Sequence, residues 1–354
     1  MATNVGLDIG TSAVRAAAVQ CGKGLPVLKR YGQVTLPVGA VSAGEIVEPD
    51  TVRDALTQLW KTAKLPRNRV IVGIANQRVI VRRIDIPYMS EEEFRESLAY
   101  RAAEYIPIPI EEAILDFVPL EEFTTPDGEA MLSVLVVAAQ RDMVNTVLEA
   151  LSGVGVKPMA MDLQALALVR AVVGVGIDLS EGARAIVTIG AGVTQLTIVK
   201  AASVRFLRTV PIGGETFTRT LADALSVDFQ NAEGQKRRLG VLPDGDPSDE
   251  SDEGRRALTV EADTLIEEVR GSIEYYRSES GGDRVSSVLI SGSGARLPHL
   301  ANRLGVSLGL PVEPVRVDQG TTIRIGKLGM SEAELAQIQP VLPVAVGLAL
   351  WGET

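Results

Sequence analysis

The chain has 354 residues, a formal net charge of −10 and a hydrophobic fraction of 46%, which is typical of a globular protein large enough for two lobes. The negative charge argues against a basic face for DNA or RNA, so we expect no nucleic-acid partner. Cys21 is the only cysteine and His299 the only histidine, which argues against a disulfide, a Cys/His zinc site and a histidine-based catalytic triad.

A glycine turn between two apolar runs opens the chain. Residues 5–9 are apolar except for Asp8, residues 10–12 read Gly-Thr-Ser, and residues 13–19 are largely apolar again. This pattern predicts a β-hairpin. The turn could bind an anion through backbone N–H groups and hydroxyls, Arg15 adds positive charge, and Asp8 could hold a metal ion through water. Alone, the pattern also fits a plain hairpin with a surface aspartate.

The first lobe continues with strands and one helix before an inserted unit. The helix begins at Pro49 with Asp50 as its expected N-cap. Residues 78–156 then read as strand, helix, two strands and helix, which predicts a small α+β subdomain. Within it, Ser90 and Glu93 form a capping-box pattern. A helix from residue 162 to 173 leads back to the main lobe.

A second glycine hairpin, at residues 185–200, repeats the first about 180 residues later. Residues 187–190 align with residues 7–10, so Thr188 stands where the first hairpin has Asp8. Two such hairpins predict a duplicated fold with one phosphate clamp in each half.

Helical segments and a third glycine element fill the rest of the second half. Residues 211–214 turn into a helix, residues 229–239 form another, and the acidic residues 242–254 are typical of an exposed, mobile loop. A long helix spans residues 257–279. Residues 288–305 then predict a buried strand, a Gly-Ser-Gly turn and a helix whose N-terminus faces the turn and favours anions.

Together the three glycine elements resemble the phosphate-1, phosphate-2 and adenosine motifs of the actin-like ATPase superfamily. The resemblance implies an α/β, duplicated actin-like (ribonuclease H-like) two-lobed fold that binds ATP and Mg²⁺ in the cleft. Asp8 would join the magnesium shell through water, and Gln164 would orient the attacking water. The implied nucleotide-binding residues are Gly10, Thr11, Ser12, Arg15, Gly190, Gly192, Thr194, Gly213, Gly214, Glu233, Lys236, Gly292, Ser293, Gly294 and Ala295.

Two departures from these motifs favour nucleotide binding over turnover. Thr188 stands where many relatives have a second aspartate, and a hydroxyl cannot supply that charge to a metal ion or to water. Ser293 replaces a glycine of the adenosine loop, which is a milder change. Three implied residues also have simpler explanations: Glu233 and Lys236 could form a solvated ion pair, and Gln164 could be a buried helix residue whose side chain is satisfied by backbone groups.

The inserted unit resembles the 1C subdomain of FtsA and of the PilM family of type IV pilus assembly. The likeness lies in the text RRIDIPYMSEEEFRESLAYRAAEYIPIPIEEAILDFVPL, and the sequence ends just after its last apolar helix, without the membrane helix of FtsA. The resemblance implies a cytoplasmic scaffold, peripheral at the inner membrane through partners alone. Its partners would be a PilN-like N-terminal peptide, bound between the main part of the first lobe (subdomain 1A) and the inserted unit (1C), other platform components and a second copy of the chain.

The resemblance also sets expected subdomain limits. These are 1A at 1–77, 1C at 78–156, 1A again at 157–184, 2A at 185–214, 2B at 215–284 including the acidic loop, 2A again at 285–330, and a C-terminal helix at 331–354 that packs back on 1A.

Two other functions fit the same fold. One is an FtsA-like cell-division protein, which the missing membrane helix disfavours. The other is a small-molecule kinase, which needs a carboxylate base for its acceptor hydroxyl. After residue 188 the sequence has no Asp or Glu before Glu215, which argues against the kinase.

Overall fold

A computed structural model describes residues 2–173, 182–201, 203–243, 252–279, 283–317 and 323–352. Short 3-10 turns lie at Ile110–Glu112 and Gly294–Arg296. The helices are α1 (Pro49–Ala63), α2 (Glu91–Ala102), α3 (Arg141–Ser152), α4 (Gln164–Val173), α5 (Gly214–Leu225), α6 (Phe229–Leu239), α7 (Glu253–Glu279), α8 (Leu300–Leu308), α9 (Glu332–Ile338) and α10 (Leu342–Ala349). The strands are β1 (Ala2–Ile9), β2 (Ala13–Cys21), β3 (Val27–Thr35), β4 (Val41–Ser42), β5 (Glu45–Ile46), β6 (Val70–Ile74), β7 (Val79–Pro87), β8 (Ala113–Thr124), β9 (Ala130–Gln140), β10 (Pro158–Leu163), β11 (Ala183–Ile189), β12 (Thr194–Lys200), β13 (Ser203–Val210), β14 (Val285–Ser291), β15 (Val312–Pro314) and β16 (Arg324–Ile325).

Each half of the chain builds a sheet around one of the two glycine hairpins. The first sheet has the order β10-β6-β1-β2-β3-β16 and the second β13-β12-β11-β14-β15. In the first sheet β1 pairs antiparallel with β2 and parallel with β6; in the second β11 pairs antiparallel with β12 and parallel with β14. The two halves therefore share one topology, and the predicted duplicated α/β fold is confirmed.

The strand register also confirms the alignment of the hairpins. Asp8 lies opposite Arg15 in the first, and Thr188 lies opposite Gln195 in the second. Thr188 thus occupies the position in the second lobe that the carboxylate occupies in the first.

The apolar helix α10 packs directly on the first sheet and on α4. A Cβ atom added to Gly347 would lie 1.7 Å from the Ala167 carbonyl oxygen, and one added to Gly6 would lie 2.0 Å from that of Ala345. Glycine at both positions therefore lets the backbones approach closely. No helix in the described part of the chain is both long and apolar enough to cross a bilayer.

The inserted residues divide between two cores. Strands β7, β9 and β8 form a separate sheet, and α2 covers one face of it through Phe94, whose ring meets that of Phe117 at 4.6 Å. We call residues 79–140 the inserted sheet unit. Helix α3 buries Leu151 in the core of the first lobe, whereas its Met143 shares a core with Leu135 of β9. The subdomain limits stay predictions, and α3 contributes to both cores.

Helix starts differ in four places from the sequence predictions. Helix α4 begins at Gln164 and not at residue 162, because β10 continues through Leu163. Helix α1 has Glu48 at its N-cap position, because Pro49, which lacks an N–H, occupies the first helical position; Asp50 lies in the first turn. Helix α8 begins at Leu300, behind a 3-10 turn, so its N-terminus does not adjoin the Gly-Ser-Gly turn. Helix α7 begins at Glu253, and residues 244–251 of the predicted acidic loop lie outside the described residues. The Ser90–Glu93 capping box is confirmed.

Candidate functional site

The turns of the two hairpins touch across the cleft between the sheets. A Cβ atom on Gly192 would lie 2.4 Å from Thr11 Oγ1, so a glycine is required for this contact. Behind the contact lies a cavity of about 70 Å³, enough for about two water molecules. We call it the small cavity. The predicted site residues that line it are Asp8, Gly10, Thr11, Ser12, Arg15, Gln164, Gly190, Gly192, Gly292 and Ser293.

A larger cavity of about 420 Å³ adjoins the small one, and Ser12, Ala191 and Ser293 line both. Phe217 of α5, Phe229 of α6 and Leu297 give it an apolar part. The predicted site residues that line it are Ser12, Gly214, Glu233, Lys236, Ser293 and Gly294. A narrow cavity that contains the Asp8–Arg15 ion pair, next to a wider cavity with aromatic side chains, could accommodate the two chemical halves of a nucleotide.

Three predicted site residues line neither cavity. Thr194 is fully buried, and its hydroxyl donates to the Ile212 carbonyl at 2.7 Å, which ties β12 to the turn before α5. A Cβ atom on Gly213 would lie 2.4 Å from the Ala191 carbonyl oxygen, so Gly213 supports the second turn from behind. Ala295 packs against the core of the second lobe.

Asp8 and Arg15 form a buried ion pair at the base of the first turn. Arg15 Nη1 donates to Asp8 Oδ2 at 3.4 Å, and Gln164 Nε2 donates to Asp8 Oδ1 at 2.8 Å. Arg15 Nε also donates to Gln33 Oε1 at 3.3 Å. Burial raises the pKa of Asp8 above its usual value, and the Arg15 charge opposes that rise. Gln164 is therefore held by Asp8 at the cavity wall, not by backbone groups of its helix.

The residues around the small cavity do not fit the magnesium site that the resemblance implies. Mg²⁺ prefers oxygen ligands, carboxylates among them, in a near-octahedral arrangement. Asp8 is the only carboxylate of the lining, and side-chain donors already engage both its oxygens. Thr188 lines the cavity without adding a charge. Within the described residues, no group of three or more His, Cys, Asp or Glu side chains could hold a metal ion.

Lys236 and Glu233 belong to a buried network in the wall of the larger cavity. Lys236 Nζ donates to the Gly214 carbonyl at 2.8 Å, to Thr218 Oγ1 at 2.7 Å and to Glu233 Oε2 at 2.6 Å. Burial lowers the pKa of Lys236, and Glu233 opposes this shift. The i,i+3 ion pair of the simpler explanation is therefore present, but Lys236 is only 9% exposed, so the pair is largely buried and not solvated. The network joins α5 to α6 and fixes the shape of the cavity wall.

Sequence reasoning missed two arginines, Arg237 and Arg296, that line the larger cavity. Arg237 Nε donates to Glu233 Oε1 at 2.9 Å. Burial lowers the pKa of the Arg296 guanidinium, and repulsion from Arg15 and Arg237 lowers it further. The sequence does show a basic residue, Arg296, two positions after the Gly-Ser-Gly turn. Its proximity to Arg15 could not be predicted, because the two arginines are far apart in the sequence.

Comparison with known proteins decides between the branches of the superfamily. A sequence model of the family described as "Type IV pilus assembly protein PilM" matches residues 6–353. The chain belongs to the PilM family. A solved structure, "PilM-PilN type IV pilus biogenesis complex", is 28% identical to the chain, covers 99% of it and 98% of the solved chain, and has a TM-score of 0.84. The predicted PilM resemblance is thereby confirmed, and the FtsA-like branch is disfavoured.

Other relatives of this PilM-family chain are more distant. The cell division protein FtsA of Bacillus subtilis (strain 168) is 24% identical over 259 residues, which are 67% of this chain and 58% of FtsA. The chain thus matches little more than half the length of that relative. The structure of MreB 5 of Spiroplasma citri bound to AMPPNP is 15% identical, covers 90% of this chain and 93% of MreB 5, and has a TM-score of 0.52, which shows a shared fold.

Proposed function

We propose that this PilM-family chain is an ATP-binding scaffold of a type IV pilus, or related type II secretion, assembly platform. It would act in the cytoplasm, at the inner face of the membrane, and reach the membrane through its partners. The observation that carries the nucleotide proposal is the pair of adjoining cavities between the two glycine hairpins. The triphosphate would lie between the turns and the adenosine in the larger cavity.

Binding of the triphosphate requires the two lobes to separate. The small cavity of about 70 Å³ is too small for three phosphates, and Thr11 and Gly192 close it. A hinge-like opening of a two-lobed fold would move the turns apart and let the backbone N–H groups face the phosphates. The angle between the lobes would then report the bound state to the partners.

The same site argues for slow hydrolysis. Thr188 offers no carboxylate to polarise an attacking water, and Asp8, the only acid of the small cavity, is paired with Arg15. A small-molecule kinase would need a carboxylate base for its acceptor hydroxyl. The family assignment and this lining both favour a binding protein over a kinase.

A bulky residue at Gly214 tests the nucleotide site without disturbing the fold. Gly214 begins α5 at the wall of the larger cavity, and a Cβ atom there makes only ordinary contacts, the nearest at 3.6 Å. Gly214→Leu should therefore project an apolar side chain into the cavity and weaken ATP binding in calorimetry. Gly234→Leu is the matched control, because Gly234 is exposed on α6 with no atom within 4 Å of an added Cβ. Equal ATP binding by both variants would contradict this site.

The partner we propose is the N-terminal cytoplasmic segment of a PilN-like membrane protein. Support comes from the similar solved structure, which is a PilM-PilN complex. The inserted sheet unit is the proposed seat, in the groove between it and the first lobe, because no residue of this unit lines either nucleotide cavity. An extended peptide there could gain backbone hydrogen bonds and side-chain pockets. Other platform components and a second copy of the chain are further proposed partners.

Another cavity offers an alternative seat for the peptide. It measures about 880 Å³ and lies between the inserted sheet unit and the second lobe, with Leu135, Arg205 and Tyr275 among its lining residues. A peptide carrying a photo-crosslinker distinguishes the two. Adducts on the first lobe and the adjoining face of the unit would support the proposed groove, whereas adducts confined to β13 and α7 would overturn it.

Deletion of the inserted sheet unit tests its role in peptide binding. Val79 pairs with Ala139, so the two ends of the unit are neighbours and a short Gly-Ser bridge can replace residues 79–140. Helix α3 is kept because it contributes to the first-lobe core. The deletion variant should lose peptide binding, expected at micromolar or tighter affinity in the intact chain, roughly −8 kcal/mol, and keep ATP binding. Peptide binding by the deletion variant would contradict the proposed seat.

A further inference from the structure

The two cavities are lined by more positively charged side chains than by carboxylates that could pair with them. Asp8 pairs with Arg15, Glu233 with Lys236 and Arg237, and Glu215 with Arg219. That accounts for every acid of the two linings. Arg296, in contrast, makes no hydrogen bond or ion pair with any residue that the structure describes, yet it lines the larger cavity beside Ser293 and Gly294.

Arg15 reaches the small cavity from the opposite lobe. A Cβ atom on Gly10 would lie 3.1 Å from Arg15 Nη1, so the guanidinium lies directly under the backbone of the first turn. Its Nη1 and Nε donate to Asp8 and Gln33. Its Nη2 donates to none of the described residues and is available to an anion in the turn. The two guanidinium groups, Arg15 from β2 and Arg296 from the loop after β14, thus approach the cleft from both lobes.

These like charges repel each other across the cleft. Repulsion from Arg15 contributes to the lowered pKa of Arg296, after burial. An anion between them would relieve that repulsion, and guanidinium groups suit phosphate because they can donate two parallel hydrogen bonds. Asp8 is the only carboxylate of the small cavity that could hold a magnesium ion at the phosphates, and Arg15 and Gln164 already donate hydrogen bonds to it.

We propose that Arg15 and Arg296 together make the cationic contacts to the triphosphate that a magnesium ion would otherwise make, so that this chain binds ATP without a divalent cation. The proposal rests on the nucleotide site proposed above. It departs from the magnesium-dependent binding that the actin-like resemblance implies, and it assigns Arg296 as a phosphate-binding residue.

Calorimetry of the metal-free chain with ATP, in excess Mg²⁺ and in excess EDTA, separates the possibilities. The expected dissociation constants agree within about threefold, since the arginines supply the countercharge in both conditions. Binding that requires Mg²⁺ would overturn the proposal and leave the nucleotide site intact. Absence of ATP binding in both conditions would overturn the nucleotide site itself.

Substitution of Arg296 tests its assignment. Arg296 is exposed, so Arg296→Gln should fold normally, and loss of a charged hydrogen bond to phosphate should weaken ATP binding in EDTA about tenfold or more. Arg256→Gln, on an exposed position of α7, is the matched control and should bind ATP like the unmodified chain. An Arg296→Gln chain that binds ATP as tightly in EDTA as this control would overturn the assignment.

Asp8→Asn distinguishes the two roles open to Asp8. If Asp8 only holds Arg15, the substitution removes a negative charge near the phosphates and frees the guanidinium, so ATP binding in EDTA should tighten, by about threefold or more. If Asp8 holds magnesium, the unmodified chain should gain affinity from Mg²⁺ and Asp8→Asn should lose that gain. The second pattern would contradict the proposal. A thermal unfolding scan confirms that each variant is folded.

Discussion

At the scale of single residues, the candidate site depends on a charge balance that differs between the two hairpins. Asp8 and Thr188 occupy equivalent positions, yet only Asp8 carries a charge, and Arg15 and Gln164 engage it. The second turn therefore offers backbone N–H groups and no acid. Under the proposed function, this asymmetry would favour retention of a nucleotide over its hydrolysis, because the small cavity has no free carboxylate to polarise an attacking water.

Thr188→Asp should change both the metal dependence of ATP binding and the rate of ATP hydrolysis. It adds a second carboxylate to the small cavity, so ATP binding should become stronger in Mg²⁺ than in EDTA and phosphate release should accelerate. In the unmodified chain we expect turnover well below the ~10 s⁻¹ median of enzymes. Phosphate release at saturating ATP measures both rates. Fast release by the unmodified chain would show that the missing acid is not needed.

At the scale of secondary-structure elements, the site depends on close packing behind the hairpins. Helix α10 lies against β1 and α4, the elements that carry Asp8 and Gln164. Glycines at the contact points let the backbones meet, so the distance between Asp8 and Gln164 is set partly by α10. The helix thus contributes to the site without contributing a charged group.

Gly347→Ala tests this packing. Its Cβ atom would lie 1.7 Å from the Ala167 carbonyl oxygen, so α10 would have to shift and the free energy of unfolding should fall by about 1–3 kcal/mol. Gly271→Ala is the control: it is also helical, an added Cβ meets no atom within 4 Å, and the change should stabilise the chain by about 0.5–1 kcal/mol. Chemical denaturation measures both. Equal stability of the two variants would show that α10 does not pack as described.

At the scale of the whole molecule, the inserted sheet unit is linked to the second lobe through charged groups. Arg205 Nη2 of β13 donates to Glu121 Oε2 at 2.9 Å, and Arg83 Nη2 of β7 donates to Glu121 Oε1 at 3.4 Å. A motion that separates the lobes would therefore strain or break a link to the proposed peptide seat. Nucleotide state and peptide binding could be coupled through this contact.

The link should depend on pH in one direction. The Arg205 hydrogen bond holds the pKa of Glu121 below its usual value, so its stabilising effect is present above the pKa of an unfolded glutamate. The effect is lost as the pH falls through the lowered pKa. Glu121→Gln should therefore lower the unfolding temperature more near pH 7 than at an acidic pH at which Glu121 is protonated in the folded chain. A constant difference at both pH values would contradict this.

The sequence predicted features that depend on neighbouring residues, such as the glycine turns, the duplicated hairpin and the Ser90–Glu93 box. It did not predict features that depend on distant residues. The pairing of Asp8 with Gln164 joins β1 to α4, and Thr194 faces a backbone carbonyl beside the site because β12 meets the turn at Ile212. Helix α3 follows the inserted strands in sequence, yet it packs Val147 and Leu151 into the first-lobe core beside α1, and this packing depends on residues far away in the sequence.

A crystal structure of the chain grown with ATP tests the proposed nucleotide site most directly. We expect separated hairpin turns, the triphosphate between Thr11 and Gly192, the adenosine in the larger cavity beside α6, and Arg296 near the phosphates. A crystal at saturating ATP with no nucleotide between the lobes, or with nucleotide bound elsewhere, would contradict the proposal that this PilM-family chain is a nucleotide-binding scaffold.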